Sequence, residues 1–266
     1  MLFRSLPVDS RGHIDLHELR DAISKETTLV SVMSANSETG TLHPVSEIAA
    51  ICRERGALFH SDAIQSFGKE PLAARDFDAL SLAAHKFHGP KGAGVLLLSA
   101  GISIERLQHG GAHENQRRAG TENVAAIVGM ACAAEIAIRE MDAGRERQSA
   151  LRDRLWRGIR EAFPAAVMNG DPQARLANTL NVSFPGFDGE SLLMNLDLAG
   201  ICASSGSACM VGSIVPSHVL LAMGAVPELA RATVRFSLGK ETTAAEIEAT
   251  IAALPEIFAR LQSVAA

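Results

Sequence analysis

Apolar and polar positions in the first hundred residues switch between a helical and a strand period. Asp15 to Ile23 carries apolar side chains at helical spacing, with Asp15 placed as an N-cap. Thr27 to Ala35 is apolar and β-branched and reads as a buried strand running into the polar turn Asn36-Ser37-Glu38-Thr39-Gly40. Pro44 to Arg55 reads as a helix, with proline at its start and Gly56 just past its end. Residues 57–62, 79–84 and 94–98 are short apolar runs that read as strands. Strands alternating with helices predict βαβ units and a mostly parallel sheet. The last of these runs follows a tight turn, which leaves it open to an antiparallel course.

The pattern then changes. Gln108 to Gly120 is a polar, glycine-rich loop holding His109, His113, Arg117 and Arg118. Thr121-Glu122-Asn123 opens an apolar helix to Met141, and Arg145 to Phe163 reads as a second, amphipathic helix. A domain boundary is expected between Glu140 and Ser149, giving a large domain over 1–144 and a smaller α+β domain over 145–266. In the latter, strands are expected at 179–184, 200–203 and 233–237, and helices at 191–198 and 217–223. Thr243 and Glu246 have capping-box spacing at the start of a terminal helix.

Composition narrows the picture. At 266 residues and 47% hydrophobic, the chain can bury a large core. A net charge of -5 supplies no field for nucleic acid or an anionic membrane. No apolar run approaches a membrane span, and the opening Met-Leu-Phe-Arg-Ser-Leu-Pro lacks a signal-peptide core. Cys52, Cys132, Cys202 and Cys209 show no disulfide-like spacing, so a reducing cytoplasm is expected.

Candidate chemistry centres on residues 79–92, an apolar strand that delivers His85 and Lys86 to its carboxyl end before turning through Gly89-Pro90. Ligands of open α/β sheets bind outside the carboxyl ends of the strands. A lysine desolvated there can form a Schiff base with an aldehyde cofactor, whereas a snorkelling surface lysine is the plainer reading. Three strand ends place polar groups at one rim: Asn36 with Ser37, Asp62 with Gln65, and His85 with Lys86. An aspartate near a Schiff-base lysine points to pyridoxal 5'-phosphate, whose pyridine nitrogen the carboxylate keeps protonated. Cys209, on a Ser/Gly-rich loop, is the candidate nucleophile, while Cys52, Cys132 and Cys202 lie in apolar contexts and read as core. Arg235, inside an apolar strand, needs an anion: a substrate carboxylate or an internal partner. The histidine pairs 85/88 and 109/113 lack a third metal ligand.

The chain resembles the cysteine desulfurases, members of the class V aminotransferases within the fold-type I pyridoxal phosphate enzymes. The resemblance is carried by residues 36–40 (Asn-Ser-Glu-Thr-Gly), 62–65 (Asp-Ala-Ile-Gln), 84–92 (Ala-His-Lys-Phe-His-Gly-Pro-Lys-Gly), 118–123 (Arg-Ala-Gly-Thr-Glu-Asn), 204–209 (Ser-Ser-Gly-Ser-Ala-Cys), 216–220 (Pro-Ser-His-Val-Leu) and 235–239 (Arg-Phe-Ser-Leu-Gly), in family order. It implies a partial, mostly parallel α/β sheet domain followed by a smaller α+β domain. It also implies that Lys86 binds the cofactor and moves the substrate Cα proton. Asp62 would pair with the pyridine nitrogen, Gln65 with the ring oxygen, and His85 would line the site. Thr121 looks like the residue reaching the phosphate of a neighbouring subunit's cofactor, implying a homodimer. Arg235 would hold the carboxylate of L-cysteine, with Asn36 beside the substrate. Cys209 would take the sulfur as a persulfide and release L-alanine, for transfer to an iron–sulfur scaffold or a sulfur carrier.

Three departures stand out. Ser37 replaces the family's second asparagine, a cofactor ligand, and Ala83 replaces a phosphate-contacting serine; each removes about 1–2 kcal/mol of cofactor binding. Met1 aligns well inside the family pattern, so on the order of a hundred residues, including a phosphate loop at a helix N-terminus, would precede it in the family. Two other readings stay open: a selenocysteine lyase or another class V enzyme, and a catalytically inactive module for binding or dimerisation.

Overall fold

The computed structural model describes residues 3–206 and 216–265. In chain order its elements are α1 (Leu16–Ala22), β1 (Leu29–Ser31), α2 (Val45–Arg55), β2 (Leu58–Asp62), β3 (Ala79–Ala83), β4 (Gly94–Leu98), α3 (Val124–Ala162), β5 (Val167–Asn169), β6 (Thr179–Ser183), α4 (Gly189–Leu198), α5 (His218–Ala222), α6 (Pro227–Arg231), β7 (Thr233–Ser237) and α7 (Ala244–Ala265). They fall into two units. One holds Ala22–Ser34 and Pro44–Met141; the other holds the residues up to Asp21, Ala35–His43 and those from Asp142 onward.

The first unit is built on a sheet of order β1-β2-β3-β4. β1, β2 and β3 are parallel, with Val30 opposite Phe59 and Ser61 opposite Leu80. β4 returns antiparallel to β3, with Ala79 opposite Leu98 and Ala83 opposite Gly94. Parallel neighbours need a crossover, and α2 supplies it between β1 and β2. Pro44 stands at its N-cap, and Gly56 ends it at φ 76°, its N–H donating to the carbonyls of Arg53 and Cys52. Alternation along the strands separates two faces. Val30, Phe59, Leu80 and Leu82 are buried on one; Ser31, His60, Asp62 and Ser81 occupy the other, where exposure is greater.

The second unit contains the antiparallel sheet β5-β6-β7. Every residue of β6 is buried. Leu180 and Val182 join Leu155, Ile159 and Leu192 in its core, and the rings of Phe163, Phe184, Phe187 and Phe258 pack with centroids 5.2–6.1 Å apart. Polar residues in this sheet satisfy one another: Asn169 Nδ2 donates to Asn181 Oδ1 (2.7 Å) and Ser183 Oγ (2.8 Å).

Several expectations need correction. The strand read over 27–35 is regular only at Leu29–Ser31, although the Val32 and Ser34 amides go on donating to the carbonyls of His60 and Asp62. The two helices read over 121–163 are one 39-residue helix, α3. Its polar middle looked like a break, but a single Gly144 costs only about 1 kcal/mol in a helix, and Asp142 pairs with Arg145 one turn on (3.6 Å). Residues 200–203 form no strand; only Ser204 bridges to Arg235. β5 and α6, three and five residues long, were too short for their periods to register. Cys132 and Cys202 are exposed rather than core, and among the described cysteines only Cys52 is buried. No helix among the described residues is long and apolar enough to cross a membrane.

Candidate active site

In the first unit, the carboxyl ends of the parallel strands gather the chemistry. β3 stops at Ala83 and the chain tightens into a 3-10 turn over Ala84–Phe87. Ala84 and Phe87 face inward and are buried, so the two residues between them, His85 and Lys86, are turned outward and exposed. The turn is closed by the Gly89 amide, which donates to the Ala84 carbonyl at 2.8 Å. Only glycine fits there: a Cβ would lie 2.9 Å from the Cβ of Ala84. His88 between them takes a left-handed φ of 69°. The ring of Phe67 packs on Phe87 at 4.8 Å and ties this turn to the loop after β2.

On neighbouring β2, Asp62 ends the strand opposite Ser81, and its Oδ1 accepts from the Ile64 amide at 2.8 Å, which fixes the carboxylate. Two residues earlier, His60 spans three strands, one ring nitrogen on Ser31 Oγ (2.8 Å) and the other on Ser81 Oγ (2.9 Å). Burial lowers its pKa, against the opposing pull of Asp62. Gln65 follows in the loop, and its carbonyl accepts from Lys69 Nζ at 2.9 Å. Thr121 stands exposed just before α3.

Lysine desolvation was expected at Lys86. Lys86 is exposed, and the desolvated lysine is Lys69, where burial and then the charge of Lys86 bring the ammonium down to about 8. Nothing in the hydrophobic pattern marks Lys69, which follows Gly68 in a polar loop. Its desolvation is visible only once the fold sets it near Lys86.

In the second unit, the segment 36–41 is a tightly held turn. Asn36 Oδ1 accepts from the amides of Glu38 (2.9 Å) and Thr39 (3.0 Å), and the Asn36 N–H donates to the Thr41 carbonyl (2.8 Å). This side-chain oxygen therefore serves its own turn. Arg235, on β7, donates from Nη1 to the Ser37 carbonyl at 2.8 Å. Ser37 and Arg235 are thus brought together through the backbone of one and the guanidinium of the other. Cys209 lies outside the described residues.

These elements place an amine, a fixed carboxylate, an amide and an imidazole at one strand rim, a donor set that fits an aldehyde-bearing pyridine cofactor. The comparisons define the class. The model of the family "Aminotransferase class-V" matches residues 3–250, and the chain belongs to that family.

Among its relatives are cysteine desulfurases. The chain is 45% identical over 257 residues to cysteine desulfurase IscS of Clostridium botulinum, covering 95% of this chain and 65% of that protein. It is 46% identical over 261 residues to cysteine desulfurase NifS of Azotobacter vinelandii, covering 97% and 65%. Among solved structures, a NifS-like protein superposes with a TM-score of 0.89 at 37% identity, covering 97% of this chain and 68% of that one. The NifS-like protein of Rickettsia africae gives 0.88 at 32% identity, covering 96% and 69%. The chain therefore spans about 65% of the length of these curated relatives.

Proposed function

We propose that this chain carries most of the active site of a pyridoxal phosphate-dependent cysteine desulfurase, converting L-cysteine to L-alanine and leaving a persulfide on Cys209. The observation that carries this reading is the rim where Lys86, turned outward by its buried neighbours, stands one strand from the fixed carboxylate of Asp62. Identity of 45–46% to named cysteine desulfurases supports the choice of substrate.

Lys86 would hold the cofactor, which would supply an electron sink for charge developing on the substrate carbon. Asp62 would keep the pyridine nitrogen protonated, and Gln65 and His85 would orient the ring. The Lys86 amine would take and return the Cα proton. The Arg235 guanidinium, directed by its bond to Ser37, binds the substrate carboxylate. The Cys209 thiolate attacks the substrate sulfur, an S–S bond forms and the substrate's C–S bond breaks. Its electron pair remains with carbon, which is protonated to alanine. Ser37 and Asn36 lie beside that path in the reading. Thr121 would serve the neighbouring subunit of a homodimer, and the persulfide would pass to an iron–sulfur scaffold or a sulfur carrier in the cytoplasm.

The visible absorption spectrum with added pyridoxal phosphate, read against Lys86→Ala, tests the reading. A band that requires Lys86, followed by persulfide on Cys209 when L-cysteine is added, is the expected result. A spectrum identical in the two proteins overturns it and favours a binding or dimerisation module. Faster turnover of selenocysteine than of cysteine reassigns the chain to a selenocysteine lyase.

A further inference from the structure

We propose that Glu38 is a positioning residue for the sulfur-transfer step: its carboxylate holds Ser217 and lies against Gly206, residues that stand either side of Cys209 in the chain, on the same turn that orients Arg235. The proposal rests on the desulfurase reading and deepens it.

Glu38 is 1% exposed. Its Oε2 accepts from Ser217 Oγ at 2.5 Å. That hydroxyl in turn accepts from the Leu220 amide at 3.2 Å as the N-cap of α5. The same Oε2 lies so close to Gly206 that a Cβ there would approach it to 2.8 Å. One carboxylate therefore meets the chain both before and after the stretch that bears the thiol.

The backbone of Glu38 is equally constrained. Its N–H donates to Asn36 Oδ1 (2.9 Å), and its carbonyl accepts from Asn181 Nδ2 (3.2 Å) on the fully buried β6. The adjacent Ser37 carbonyl holds the Arg235 guanidinium. Arg235 exchanges both main-chain hydrogen bonds with Ser204, at 3.1 and 2.6 Å, two residues before Gly206. The contacts close a ring: Glu38 to Gly206, Gly206 through the chain to Ser204, Ser204 to Arg235, and Arg235 to Ser37 beside Glu38. Burying a carboxylate costs desolvation that one hydroxyl offsets only in part. What it contributes here is direction, setting the residues around the nucleophile against the arginine that grips the substrate.

The test uses the protein loaded with pyridoxal phosphate and three readouts: the Lys86-dependent band, the single-turnover rate of Cys209 persulfide formation by mass spectrometry, and kcat with KM for L-cysteine. Glu38→Ala is expected to slow persulfide formation by about tenfold or more, as small misplacements of reacting groups do, and to leave the band unchanged. Glu38→Gln, which keeps an acceptor in the same place, is expected to recover most of the rate. Ser217→Ala removes the other partner from a less buried position and is expected to act in the same direction, so the proposal stays testable if Glu38→Ala does not fold. Wild-type persulfide rates in both alanine variants overturn it, as does a Glu38→Gln rate no better than that of Glu38→Ala. A wild-type protein that shows the band but no persulfide overturns the desulfurase reading and this proposal together.

Discussion

β6, in the three-stranded sheet, is buried along its whole length, and its polar Asn181 and Ser183 are satisfied by Asn169 and Thr233. β4, in the four-stranded sheet, is exposed over residues 94–97, including Leu96 at 45% and Leu97 at 48%. β4 (Gly-Val-Leu-Leu-Leu) is the more apolar of the two, yet β6 (Thr-Leu-Asn-Val-Ser) is the one buried, so surroundings rather than composition separate them. The closed sheet belongs to a unit with an aromatic core and supplies rigidity. The open sheet supplies the strand rim, where the lysine, aspartate and histidine side chains remain reachable. A site that must admit a cofactor and a substrate is better placed on the second kind of sheet.

The sharpest way to break that contrast is to truncate a leucine on each side. Leu180→Ala, at a position with no exposed surface, is expected to cost about 3–5 kcal/mol, while Leu96→Ala on β4 is expected to stay within about 1 kcal/mol. Urea unfolding followed by the single tryptophan, Trp156, packed against the closed core, reads the first; far-ultraviolet circular dichroism reads the second. Equal losses would mean that β4 is covered in solution.

Histidines sharpen the contrast next. Burial, then the charge of His13, lowers His43 from 6.5 to about 4, and its Nδ1 is buried without a partner among the described residues. Because the folded value lies below the unfolded one, the unfolded chain takes the proton first. The stability is present in full above 6.5 and is lost as pH falls toward 4, about 3 kcal/mol in all. Unfolding free energies measured across that range should show the slope, and His43→Phe should flatten it.

The smallest effect is expected on the open sheet. Ser81→Ala removes one of the two hydroxyls that hold His60 and should cost about 1 kcal/mol by urea unfolding. A null result would mean that water replaces the serine on that face.

Features fixed by local stereochemistry were legible in the sequence. Pro44 and Gly56 bound α2. Thr243 and Glu246 close their capping box, the Thr243 N–H on Glu246 Oε2 at 2.7 Å and the Glu246 N–H on Thr243 Oγ1 at 3.2 Å. Asp15 caps α1 through the amides of His17 and Glu18. The strand that carries His85 and Lys86 to its end follows from its own alternation and the glycine just beyond. Less of the candidate site could be read: the surroundings of Lys69 and Glu38 are set by residues at 86, 206 and 217, and no local pattern encodes such neighbours.

By itself, then, the sequence determined where helices are capped, most of the longer strands and helices, and which motifs align with a family, because those depend on caps, glycines and periodicity within a few residues. The tertiary structure alone decided which lysine is desolvated, which cysteines are buried, and that a single buried carboxylate meets the chain on both sides of the candidate nucleophile. Burial and electrostatics are properties of neighbours in space, and those neighbours exist only once the sheets have formed.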